Sequence, residues 1–438
     1  MPDQSIGITL LGCGVIGGGV TRILQEQRDL IRARTGLTLD LIHVVDKDIA
    51  TPRPGLQIPI HSDADKAIDD PRSKIVIELI GGTDAAAKFV DRALRLGKPV
   101  VTANKSLLAA RGPELFALAR QHNACIGFEA SCAGGIPVIN ALMHGLVANR
   151  IDALVGIVNG TCNFILTRMK SHGWSYAQAL AEAQKAGFAE ANPAMDVSGR
   201  DAAQKLAILA TLAFNVRCAE PDIHTEGIDK LQDIDIKFAE ELGYVIKLLA
   251  IAQRHGPKIS LRVHPTLVHR DDMLADVAGS FNAVSIYGHA IGHTLFYGRG
   301  AGQMPTAGAV VADVINVALG LTPLAFSQLK IFPDQVPPAD LLPHQELLSR
   351  YYLRLLARDE PGVMAQVTQI LGQRKISLSA ILQHEAKDGQ FVPVVITTHQ
   401  AREGSVQAAL QEIDHLPSIQ APTACLRIID PPKEFSAP

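Results

Sequence analysis

An apolar run from Ile6 to Leu11 stops at Gly12-Cys13-Gly14-Val15-Ile16-Gly17, and the residues that follow, to about Leu30, carry helical periodicity. A strand, a glycine turn and a helix in that order leave few folds open to the chain that contains them. Gly12 permits the tight turn, Gly14 lets backbone approach a pyrophosphate, and Gly17 allows the helix to pack closely on the strand. The first helical residues, Val15 and Ile16, place backbone amides where a helix N-terminus receives phosphate. These residues predict a dinucleotide site.

The alternation continues. LDLIHVVD reads as a second strand ending at Asp46, KIVIELI as a third ending at Ile80 before Gly81-Gly82, and KPVVTA as a fourth ending just before Asn104 and Lys105. IGFEA, around Phe128, reads as a fifth that runs into SCAGGIP. Strands alternating with helices imply a parallel sheet, whose carboxyl edge is where ligands bind. Gly81, Gly82, Thr83, Asn104 and Lys105 fall on that edge and are expected beside the nicotinamide. At the end of the second strand, Asp46 would favour a free ribose hydroxyl, whereas Lys47 and Arg53 could receive a 2′-phosphate, so NAD and NADP both stay open.

A second informative stretch is GFAEANPAMDVSGRDAAQK, Gly187 to Lys205, which sets Glu190, Asp196 and Asp201 around one lysine. Ser198 and Asp201 have capping-box spacing, and Asp201 and Lys205 sit one turn apart on a helix whose continuation, KLAILATLAF, is apolar nearly all round. On an exposed helix such a pair would stabilise by only about 0.2–0.5 kcal/mol and do nothing else. On a buried one, the lysine needs its carboxylate, stays protonated and can deliver a proton.

Composition narrows the partners. The chain has 438 residues, 47% of them hydrophobic, and 41 basic against 44 acidic residues give a net charge of −3. That length holds two or three domains, and the balance gives no reason to expect nucleic acid or an anionic membrane. Six cysteines without CxxC or Cys/His ligand spacing read as free thiols, which places the chain in the cytoplasm. The N-terminal apolar run breaks into glycines too early for a signal sequence, and Ala307 to Leu321 is too short to span a bilayer and reads as a buried helix.

Between Asn140 and Arg254 the pattern is mixed, with a strand at Asp152–Val158 and helices over Trp174–Ala186 and Gly199–Phe214. PDQVPPADLLP cannot hold regular structure for long and reads as a boundary before a separate module. From Tyr351 the order is strand, helix, strand, strand, helix, strand, the ferredoxin-like βαββαβ unit. The fold class is therefore α/β, with a Rossmann-like domain, an α+β domain and a ferredoxin-like C-terminal domain.

With these residues in view, the chain resembles the homoserine dehydrogenases, NAD(P)-dependent enzymes that interconvert L-homoserine and L-aspartate 4-semialdehyde. GCGVIGGG, VTANK, EASCAGGIP, GIVNGTCNFIL, GFAEANPAMDVSGRDAAQKLAIL and GAGQMPTAGAVVAD match in order across most of the first 326 residues. The resemblance makes Lys205 the proton donor, Glu190 and Asp201 substrate-contacting carboxylates, Asp196 a further acid of that loop, and Lys105 a lysine near nicotinamide and substrate. It implies a monovalent cation, usually sodium, held by Glu129 through side chain or backbone and by the carbonyls of Cys132, Gly134 and Ile136. It also implies that Gly300 and Gly302 close over the cofactor.

The implied domains are residues 1–139 for the dinucleotide, with a helix near 305–326 returning to it, residues 140–304 for catalysis, a linker over 327–348, and residues 349–432. This last part resembles an ACT domain through RDEPGVMAQVTQIL, in which the turn at Pro361-Gly362 helps bind an amino acid and threonine is the expected effector. Such proteins pair their protomers, so a homodimer or homotetramer is expected. Cys13, Cys132, Cys162 and Asn192 depart from the family pattern. Two rivals differ in class. A phosphorylating semialdehyde dehydrogenase would use the Cys132 thiolate, and a nonenzymatic amino-acid sensor would have no use for Lys205.

Overall fold

Six parallel strands cross the N-terminal part of the chain: β1 (Gln4–Leu11), β2 (Leu37–Val45), β3 (Ile60–His61), β4 (Ser73–Glu78), β5 (Val100–Thr102) and β6 (Ile126–Gly127). Their order is β3-β2-β1-β4-β5-β6, seen in a computed structural model that describes residues 4–53, 55–384 and 391–429. Ile8, Leu10, Val76 and Ile77 are fully buried, as expected of strands covered by helices on both faces. The chain leaves β1 for β2 and β3, then returns to β4 on the other side. The crevice between the carboxyl ends of β1 and β4 is therefore the topological switch point, where open α/β sheets bind ligands.

Two details differ from the sequence expectation. β3 was not anticipated, being two residues long in a proline-rich stretch. IGFEA keeps only Ile126–Gly127 as strand, because at Phe128 the chain enters a 3₁₀ turn, Glu129–Ser131, that redirects it into SCAGGIP.

The second sheet continues the chain with β7 (Ile151–Ile157), β8 (His224–Thr225), β9 (Tyr244–His255), β10 (Lys258–His269), β11 (Phe281–Gly288) and β12 (Gly292–Arg299). The C-terminal part adds β13 (Leu348–Arg358), β14 (Leu378–Gln383), β15 (Phe391–Thr398), β16 (Ala401–Arg402) and β17 (Ala424–Ile429), with helices Val363–Gln373 and Glu403–Asp414 in the expected βαββαβ order. The C-terminal part keeps a hydrophobic core of its own, around Tyr351, Leu353, Val367 and Val406, but its sheet is joined to the preceding one. β17 pairs in parallel with β10 at Thr266↔Arg427 and antiparallel with β13, so one sheet of eleven strands runs from β12 through β10 and β17 to β14. The physical reason is that β9 covers only one edge of β10, and β17 pairs with the other.

The proline-rich linker is irregular, as anticipated, yet pinned. Arg217 N–H donates to the Pro337 carbonyl at 2.6 Å, and Ile259 N–H to the Asp340 carbonyl at 2.9 Å. Helix Gln303–Ala318 lies on helix Val15–Glu26 so closely that a Cβ on Gly19 would stand 2.9 Å from the Ala307 Cβ. It turns by 76° into Leu321–Gln328, and among the described residues no single helix is long and apolar enough to cross a membrane.

Candidate functional site

The glycine turn is built without slack. Gly12 has φ +94°, and a Cβ there would stand 2.6 Å from the Leu79 carbonyl, while one on Gly17 would meet the Gly12 carbonyl oxygen at 2.2 Å. Gly14, which precedes helix Val15–Glu26, faces open space instead. Asp46 Oδ2 accepts from Cys13 N–H at 2.7 Å and Oδ1 from Asp48 N–H at 3.0 Å, so its carboxylate braces the turn. Arg53 Nε donates to the Cys13 carbonyl at 2.7 Å. Arg53, Gly14, Val15, Thr21 and Arg22 line a cavity of about 550 Å³, which Gln303 closes by donating to the Val15 carbonyl at 2.9 Å. Gly302, at φ +124°, sets the entry of that last helix, Ile16 is half-buried, and Lys47 is exposed outside the cavity lining. The open approach at Gly14 and a cavity ending at a guanidinium fit a dinucleotide.

At the end of β4, Glu78 is fully buried and accepts from Ile80 N–H at 2.8 Å, Gly81 N–H at 3.0 Å and Thr102 Oγ1 at 2.7 Å. It fixes Gly81 and Gly82 with φ of +78° and +73°, and Thr83 lies exposed after them. Asn104 donates to the Gly82 carbonyl at 2.8 Å and caps helix Lys105–Gln121 by accepting from Leu107 N–H. This cap aims Lys105 off the first helical position. Its Nζ stands 3.1 Å from Asp201 Oδ1.

Asp201 is where the site converges. Its Oδ2 accepts from Lys205 Nζ at 2.8 Å and from Asn159 Nδ2 at 2.8 Å, and Lys205 also donates to the Val158 carbonyl at 2.7 Å. Asn159 Nδ2 reaches Asp196 Oδ1 at 2.8 Å as well, so one amide ties two carboxylates together. Burial would raise the Asp201 carboxyl, but Lys205 and Lys105 bring it down to about 2. Burial would lower the Lys205 ammonium, and Asp201 reverses this and holds it above its ordinary value. Among the described residues Asp196 pairs with no lysine at salt-bridge distance, and burial raises its carboxyl.

Two sequence expectations change here. Ser198 and Asp201 do not form a capping box, because the helix Arg200–Phe214 starts from Gly199 at φ +83° and the Asp201 carboxylate turns to the lysines. Glu190 is exposed, and its carboxylate bonds none of the described residues, although its carbonyl accepts from Gln184 at 3.1 Å. Asn159 was missed as a site residue. Its signal was the Asn-Gly that follows the Asp152–Val158 strand.

In EASCAGGIP the Glu129 carboxylate is spent on structure. It accepts from Ile139 N–H at 2.9 Å and from the Asn140 N–H at 2.7 Å and side-chain amide, while Glu129 N–H donates to Asp313 Oδ2 at 2.8 Å. The Ile136 carbonyl accepts from Val138 N–H at 2.7 Å, whereas the carbonyls of Cys132 and Gly134 accept nothing from the described residues. A cation held by backbone carbonyls fits these last two positions and needs no carboxylate from Glu129. Gly300 packs so tightly on Asn282 that a Cβ would overlap its amide, and its carbonyl accepts from Gly134 N–H. Cys132 is fully buried, which pushes its thiol to about 12 and removes the thiolate that an acylating mechanism needs.

Comparison with known proteins agrees with this geometry. Residues 12–129 match the family model "Homoserine dehydrogenase, NAD binding domain", residues 137–315 match "Homoserine dehydrogenase", and residues 351–415 match "ACT domain". A homoserine dehydrogenase of Neisseria gonorrhoeae is 41% identical over 97% of this chain and 99% of its own. A crystal structure of a homoserine dehydrogenase from Thiobacillus denitrificans superposes with a TM-score of 0.92 at 42% identity, covering 98% of this chain and 99% of that one. A hyperthermophilic archaeal homoserine dehydrogenase mutant in complex with NADPH superposes at 0.62 with 26% identity, over 72% of this chain and 98% of that one. With its glycine turn, its two lysines on one aspartate and its C-terminal βαββαβ unit, this chain belongs to the homoserine dehydrogenase family of nicotinamide-dependent oxidoreductases.

Proposed function

We propose that this chain interconverts L-homoserine and L-aspartate 4-semialdehyde, with Lys205 as the proton donor. The observation that carries it is Asp201 held between two ammonium groups, Lys105 at 3.1 Å and Lys205 at 2.8 Å, beside the carboxyl edge of the sheet. When bound, the nicotinamide supplies or takes the hydride. Lys205 gives its proton to the alkoxide as the carbonyl is reduced, directly or through a water, and takes one back in the oxidation. Its charge also stabilises the developing oxyanion. Asp201 keeps Lys205 protonated until then, and Lys105 orients the substrate oxygen. Asp196 and the exposed Glu190 would hold the substrate ammonium.

NADP is the coenzyme favoured, because the Arg53 guanidinium lines the cavity, held there by the Cys13 and Thr51 carbonyls, while Asp46 is occupied by the Cys13 and Asp48 amides. A sodium ion would sit on the free carbonyls of Cys132 and Gly134. Threonine as effector at the Gly362 turn, pairing into a dimer or tetramer, and a cytoplasmic location in keeping with six free cysteines complete the proposal. The test is nicotinamide absorbance during L-homoserine oxidation, with NAD and NADP in parallel and with sodium and threonine added in turn. Turnover faster with NADP and inhibited by threonine supports it, and a folded protein without turnover on either coenzyme refutes it.

A further inference from the structure

Arg427, on β17 of the C-terminal domain, is 2% exposed and carries a guanidinium that must be paired. Its Nε and Nη2 donate to the two oxygens of Glu403 at 3.1 and 2.6 Å, and its Nη1 donates to Glu226 Oε2 at 2.6 Å. Glu403 begins a helix of the same domain, but Glu226 belongs to the catalytic part, one residue beyond β8. His224 completes the arrangement by contacting the other Glu226 oxygen at 2.7 Å.

The backbone beyond Glu226 leads straight to the catalytic helix. A Cβ on Gly227 would stand 2.2 Å from the Val197 carbonyl oxygen and 2.7 Å from the Ser198 Cα, and Ile228 N–H donates to that same Val197 carbonyl at 2.8 Å. On Gly199 a Cβ would be 3.2 Å from the Glu226 carbonyl oxygen. Residues 197–199 are the turn between Asp196 and the helix that carries Asp201 and Lys205. Packed backbone of this kind has no compliant side chain to absorb a shift, so a displacement of Glu226 is passed to the start of that helix.

We infer that Arg427 and Glu226 are positioning residues for the Asp201–Lys205 pair, so that the C-terminal domain sets the register of the proton donor through the ion pair between the buried Arg427 and the half-buried Glu226. The inference rests on the assignment of Lys205 proposed above. It also gives a change in β17 a physical route to the reaction, since Arg427 moves with that strand.

The experiment uses the full chain with Glu226→Gln, Arg427→Lys and the double variant, measuring kcat with L-homoserine, KM for the coenzyme and the thermal midpoint. Each single substitution is expected to lower kcat about tenfold with the coenzyme KM within about twofold of the parent, and the double variant to be no worse than the poorer single one. Unchanged kcat in Glu226→Gln overturns the inference. So does a parallel change of kcat, coenzyme KM and thermal midpoint, which is general destabilisation. If Arg427→Lys does not fold, the isosteric Glu226→Gln decides alone by the same criteria. Lys205→Ala run alongside separates the two claims. Turnover surviving in that variant removes the proton-donor assignment, whereas turnover lost there but intact in Glu226→Gln removes only the positioning role.

Discussion

Lys205 and Asp201 stand one helical turn apart in the chain and 2.8 Å apart in space, with the lysine ammonium also donating to the Val158 carbonyl. A buried cation with a carboxylate and a carbonyl as partners is charged at neutral pH and points at one place. That combination separates a proton donor from an ordinary helical ion pair.

Replacing Asp201 by Asn removes the counter-charge of two lysines at once. Lys205 then loses what keeps it above its ordinary value, and kcat should fall at least about tenfold, with a stability loss on the order of 3 kcal/mol from the uncompensated buried charge. Steady-state rates and urea unfolding of the same preparation measure both effects.

The same carboxylate predicts a pH dependence. Its folded value of about 2 lies below that of an unfolded aspartate, so its contribution is present above about pH 4 and is lost as the pH falls toward 2. The magnitude is on the order of 2 kcal/mol. Comparing the unfolding free energy of parent and Asp201→Asn between about pH 5 and 3 should show a gap that narrows with acid; a gap constant across that range contradicts the pairing.

Arg53 is expected to sort the coenzymes. Arg53→Ala should raise KM for NADP about tenfold or more through loss of a charge-assisted contact to the 2′-phosphate, while KM for NAD changes little. Equal losses for both would mean that Arg53 acts through the Cys13 carbonyl it braces.

Cys132→Ser should keep most of the turnover, and the parent thiol should resist iodoacetamide at pH 8 unless the protein is unfolded, because burial holds it at about 12. Rapid labelling accompanied by inactivation would restore the acylating mechanism.

Much of this was legible in the residues. The strand ending at Leu11, the KIVIELI strand, which stops at Glu78 rather than Ile80, and the βαββαβ order after Tyr351 are announced by apolar runs bounded by glycine and proline. β9 and β10 were not. YVIKLLAIAQRH is buried along most of its length, so it lacks the alternation of a half-exposed strand, and Leu, Ala and Gln favour helix equally well. The junction of β17 with β10 is likewise a long-range pairing that no local pattern encodes. At the site, the spacing of Asp201 and Lys205 gave their pairing, but it also imitated a capping box. Only the left-handed Gly199 decides between the two uses of Asp201. Glu78 reaches Thr102, and Asn159 reaches Asp196 and Asp201, through side-chain bonds to residues distant in the chain, and nothing in their neighbours' sequence states those partners.

The most direct test is nicotinamide absorbance in L-homoserine oxidation by the parent and Lys205→Ala, together with coenzyme binding by each. The account predicts kcat lower by about 10²-fold or more in Lys205→Ala with coenzyme affinity unchanged. Turnover near the parent level in a variant that still binds coenzyme would contradict it.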